Sequence, residues 1–175
     1  MKALFALIDG LKLKDPYTQL RLSLDTEYLI IEERAFKVFR PVTEATYKVP
    51  LKNIIATIAT TEKELVDKNK SAIGRGVAGG LLFGPAGLIL GGLSGVGTKK
   101  GLQSNHLFII SYLSSKGEIE NITLNTHKVS NAQVTNKFQR YVQKELKRIQ
   151  PSEKVAEIRK QNELNEAETE SSFIL

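Results

Sequence analysis

With 175 residues, 41% hydrophobic and 25% charged, the chain has the proportions of one globular domain with appendages. It contains no cysteine, which excludes disulfides, thiolate metal sites and thiol nucleophiles. The net charge of +6 is uneven: residues 151–175 hold six Glu against Lys154, Arg159 and Lys160, so the first 150 residues carry +9. A basic body invites anionic partners, yet its lysines and arginines are scattered among acidic residues, as on a solvated surface.

The opening MKALFALIDG has a short apolar run that Asp9 interrupts, with no small-residue cleavage site after it, so it does not read as a signal peptide. Residues 19–25 alternate strictly, with Leu20, Leu22 and Leu24 on one face and Arg21 and Ser23 on the other, as a half-buried strand does. Asp25 and Thr26 make a turn into a second strand over 27–34, which 36–39 extends or follows as a short strand. Residues 46–51 alternate again, and Pro50, which cannot donate to a ladder, belongs at an edge or a bend. The β-branched run 53–61 is the next strand. Residues 107–113 and 118–125 form a hairpin about the turn Ser114-Ser115-Lys116-Gly117.

Residues 130–149 carry the clearest helical pattern. Val134, Phe138, Tyr141, Val142, Leu146 and Ile149 recur every three or four residues, Ser130 is the N-cap, and Pro151 stops the helix. The tail 151–175 is acidic, with Val155, Ile158 and Leu164 at helical spacing, and reads as a helical or disordered segment. Antiparallel strands closed by one amphipathic helix give an α+β fold of the pleckstrin-homology-like β-barrel type over residues 1–150.

Three stretches carry a resemblance: LIDGLKL near the start, KVPLKNIIAT, and KSAIGRGVAGGLLFGPAGLILGGLSGVGTKK leading into LFIISYLSSKGE. Over residues 3–150 their order resembles small proteins of Gram-positive bacteria and their phages that have a pleckstrin-homology-like or GRAM-like barrel with a glycine-zipper insertion. The resemblance implies that fold and no established activity. One departure is visible: the first hairpin turn, Leu24-Asp25-Thr26-Glu27, is acidic, which disfavours a phosphoinositide site there, and Lys12 and Lys14 lie earlier.

The insertion is the most distinctive stretch. Residues 76–98 run without a charge, and ten of the thirteen glycines lie between Gly74 and Gly97. Gly76, Gly80 and Gly84, then Gly87, Gly91 and Gly95, fall mostly four apart, a spacing that stacks glycines on one helix face for close packing. One helix of this length would reach about 34 Å, but Pro85 breaks it after Gly84, and strands on both sides belong to one fold. The expectation is therefore a helical hairpin over 72–100, turning at Pro85, with Lys68, Lys70 and Arg75 at one foot and Lys99 and Lys100 at the other.

No catalytic chemistry is expected. Gly74 to Gly79 matches GxGxxG, but the polar residues before it are no buried strand. His106 and His127 without cysteine make no metal site, and Glu32 and Glu33 point to opposite faces of a strand, so they form no acid/base dyad. No basic stripe is interleaved with aromatics, which disfavours nucleic acid. The favoured expectation is a cytoplasmic, non-enzymatic adaptor without cofactor or metal, associating with the cytoplasmic membrane face or with itself through the hairpin and meeting a protein partner. The alternative is a soluble interaction or inhibitor protein, phage-encoded, that binds a host protein or small molecule through the barrel.

Overall fold

A computed structural model describes residues 1–15, 18–37, 40–61, 64, 106–126 and 132–171. Among the described residues seven strands follow one another along the chain: β1 (Lys2–Asp9), β2 (Gln19–Leu24), β3 (Tyr28–Lys37), β4 (Arg40–Pro50), β5 (Ile54–Thr61), β6 (His106–Leu113) and β7 (Ile119–Thr126). Two helices end it, α1 (Ala132–Leu146) and α2 (Glu153–Ser171). Every pairing is antiparallel, and the order across the sheet is β4-β3-β2-β1-β7-β6-β5.

This order corrects the expected barrel. The sheet is open, with β4 and β5 as its edges rather than as partners. The physical reason lies at the junction between them. Pro50 ends β4 without an N–H to donate, and one 3-10 turn, Leu51–Asn53, carries the chain into β5. On the far side, carbonyls of β5 are taken by side chains of the two helices instead of by a strand. Gln139 Nε2 donates to Thr57 O at 3.0 Å, and Arg159 donates to Ile55 O at 3.0 Å and Ile54 O at 2.7 Å.

Alternation places the core. Phe5 on β1, Leu20 and Leu22 on β2, Leu29 and Ile31 on β3, and Ile122 and Leu124 on β7 are fully buried on one face, here called the inner face. α1 lies on that face, where Phe138 and Val142 join the same cluster and Val134, Tyr141 and Leu146 lean on it. Phe5, Phe108 and Phe138 meet with ring centroids 5.7–5.9 Å apart, the helix ring edge-on to both strand rings. Such pairs contribute about 0.5–1.5 kcal/mol each beyond the area they bury. β6 departs from alternation: Leu107, Phe108, Ile109 and Ile110 are all buried, as on a strand covered on both faces.

Two details go beyond the sequence reading. The opening run, left without an element, is a central strand between β2 and β7. The acidic tail carries a docked helix: Val155 is fully buried against Ile55 and Leu113, Ser152 N donates to Lys52 O at 2.9 Å, and Lys154 Nζ donates to Gly117 O at 2.9 Å. The glycine-rich hairpin over 72–100 lies outside the described residues.

Candidate functional site

The residues favoured from sequence, Gly76, Gly80, Gly84, Pro85, Gly87, Gly91 and Gly95 with Lys68, Lys70, Arg75, Lys99 and Lys100, all lie outside the described residues, as does His127. His106 opens β6 and is half-buried. Among the described residues no group of three or more His, Asp or Glu is placed to hold a metal ion.

The structure draws attention instead to Glu33. Period-two geometry on β3 sends Glu32 to the outer face and Glu33 to the inner one, beside Leu29 and Ile31. Glu32 is ordinary there: Arg21 grips it with two 2.6 Å bonds from β2, and that guanidinium holds its carboxyl below the usual range. Glu33 is fully buried in register with Leu20 and Ala45, where an aliphatic side chain would be expected.

What meets Glu33 is the connector between β1 and β2. Gly10 begins it with φ +99°, and a Cβ there would collide with the Asn121 carbonyl, so only glycine lets the chain turn so close to β7. Leu11 and Leu13 pack against the core cluster, and the backbone then turns two successive N–H groups onto one oxygen. Lys14 N donates to Glu33 Oε1 at 2.9 Å, and Asp15 N donates to the same atom at 3.1 Å. Consecutive N–H groups arranged this way form an anion-holding nest. A turn closes behind them, with Thr18 N donating to Asp15 O at 3.1 Å and Thr18 Oγ1 to Arg34 O at 2.6 Å.

A second tie comes from β4. Tyr47 Oη donates to Lys12 O at 2.5 Å, and burial together with the Glu33 charge pushes its phenol above the usual value. Lys14 Nζ reaches over to Glu44 O at 3.3 Å. The connector is thus held across the inner face of β2, β3 and β4 by one carboxylate, one phenol and one ammonium.

The other carboxylate oxygen of Glu33, Oε2, is buried and has no hydrogen-bond partner. An orphaned buried acceptor costs about 1–3 kcal/mol, more when charged, so its retention on an apolar face calls for an explanation. The sequence held one signal for it: in YLIIEER, Glu33 falls in phase with Leu29 and Ile31.

The sheet edges are less inviting. β5 is guarded by Gln139 and Arg159, while β4 carries Pro41 and Pro50 and a register shift opposite Glu33 and Arg34. These devices discourage strand addition. The described residues therefore form an open antiparallel α+β domain with a carboxylate buried beneath a backbone connector. Comparison with protein-family models and with curated proteins finds no match.

These findings also correct the favoured functional expectation. The described residues form an α+β domain in which no helix is long and apolar enough to cross a membrane and no cluster could hold a metal. The adaptor that associates with membranes or with itself through a glycine zipper is set aside. The alternative, an interaction protein, agrees better with what is described.

Proposed function

We propose that this chain is a non-enzymatic interaction protein that binds its ligand or protein partner at the connector end of the sheet, with Glu33 as the recognising group. The observation that carries the reading is the unpartnered Oε2 of Glu33 on an otherwise apolar face. A carboxylate kept there offers an acceptor of high directionality, beneath a connector whose Lys14 and Asp15 amides already meet its other oxygen. The resemblance to small proteins of Gram-positive bacteria and their phages belongs to the same proposal, as an accessory or inhibitory role in the cytoplasm.

A fragment screen followed through backbone amide shifts of the full chain tests it. Binders are expected to move the Lys14 and Asp15 amides first, because both donate to Glu33. Binders that move only residues of β4 or β5 would overturn the reading.

A further inference from the structure

We infer that Glu33 Oε2 is the acceptor for a primary ammonium group carried on a short apolar tail. The inference rests on the binding site proposed above and names its ligand class.

Three observations narrow the chemistry. Oε2 is a buried oxygen acceptor without a partner, and the partner an acceptor lacks is a donor. Among the described residues no cation pairs with Glu33: Lys14 turns its ammonium to Glu44 O, and Arg21 is committed to Glu32 on the other face. A cationic ligand would supply both the absent donor and the absent countercharge, and a buried carboxylate gains most from such a partner.

Geometry then separates ammonium from guanidinium. A guanidinium recognises a carboxylate best with two parallel bonds, one to each oxygen. Oε1 already accepts from Lys14 N and Asp15 N, so the fork has only one oxygen to meet. A compact ammonium can give one of its three donors to that single oxygen. The tail follows from the apolar setting, since Leu7, Leu11, Leu13 and Tyr47 are half-buried against the same core cluster. The amine can belong to a free alkylamine or to a lysine side chain of a protein partner, and the chemistry at Oε2 is the same.

The test uses the full chain, amide shifts of Lys14 and Asp15, and four small probes: n-butylammonium, n-butanol, tetraethylammonium and methylguanidinium. Saturable shifts with n-butylammonium alone are expected. The peptide N-acetyl-Gly-Lys-Gly-amide distinguishes sources: a tighter response than n-butylammonium supports a protein lysine, a weaker one a free amine. Glu33→Gln keeps an oxygen for the two N–H groups but turns Oε2 into a donor, so butylammonium should bind about tenfold weaker or worse with the Lys14 and Asp15 amides otherwise in place. Equal responses to n-butanol or tetraethylammonium, or undiminished binding by Glu33→Gln, overturn the inference. Should that variant fail to fold, the probe comparison on the parent chain decides alone. If n-butylammonium is silent while other fragments move Lys14 and Asp15, the ammonium assignment falls and the site stands. If n-butylammonium moves only amides elsewhere, both fall.

Discussion

Tyr112 on β6 donates its hydroxyl to Glu120 Oε2 at 2.8 Å across the β6–β7 ladder. Burial, then the hydrogen bond to Glu120, then its charge push the phenol up to about 12 from its usual 10. A group whose folded value is raised stabilises the fold below its unfolded value, and that stabilisation is lost as pH rises through the folded one. Stability is therefore expected to decline between pH 10 and about 12, and Tyr112→Phe to flatten that decline, as read by denaturant midpoints across the range. Asp25 behaves oppositely in sign. Its Oδ1 accepts from Glu27 N at 2.8 Å and Tyr28 N at 2.6 Å, which holds its carboxyl below the usual range, so its contribution fades as pH falls. Asp25 was legible as a turn residue, because a short acceptor beside β-rich runs has few other uses. Glu33 was half legible: alternation placed it opposite Glu32, but nothing local says that a connector nineteen residues earlier brings its amides there.

At the scale of elements, α1 is the helix whose packing the sheet most depends on. Phe138 touches both Phe5 and Phe108, and hence both β1 and β6. Phe138→Ala is expected to lower stability by about 3–5 kcal/mol, measured by urea denaturation, because the gap would lie among rings that cannot close over it. A loss below about 1 kcal/mol would show that α1 packs more loosely than the ring geometry implies. The stripe on α1 was readable because five apolar residues at helical spacing permit one face only, although the expected helix over 130–149 ends at Leu146 and leaves Ile149 beyond it. β1 was not, because its alternation is blurred: Ala3 and Phe5 are buried, but Leu4 and Ala6 at the alternate positions are not polar. The docking of α2 was hidden for a different reason. Its charged composition describes the exposed side, whereas attachment depends on Val155, Ile158 and the guanidinium of Arg159.

For the whole molecule, the open sheet makes the two edges its exposed liability. Arg159 covers the carbonyls of Ile54 and Ile55, a role more costly to lose than a surface contact because the acceptors are part-buried. Arg159→Ala is expected to cost about 1–3 kcal/mol and to raise edge-to-edge association above that of the parent chain. Thermal melts and light scattering over a concentration series check both halves, and unchanged melting would show that α2 does not guard β5. Strand periodicity conveyed six of the seven strands, but not closure. Whether a sheet joins its ends depends on what occupies the edge groups, and here Pro50, Gln139 and Arg159 do so from three separate parts of the chain.

The pairing of β1 with β7 sets an order in time. Phe5 lies opposite Thr126, so β1 has one neighbour, β2, that follows it next among the strands and another, β7, that is made only after β2 to β6. β2, β3 and β4 can zip as successive hairpins while β1 waits with one side of its ladder unmet. The β6–β7 hairpin is then the piece that completes the ladder of β1, and the chain must keep a half-paired strand out of trouble until it arrives.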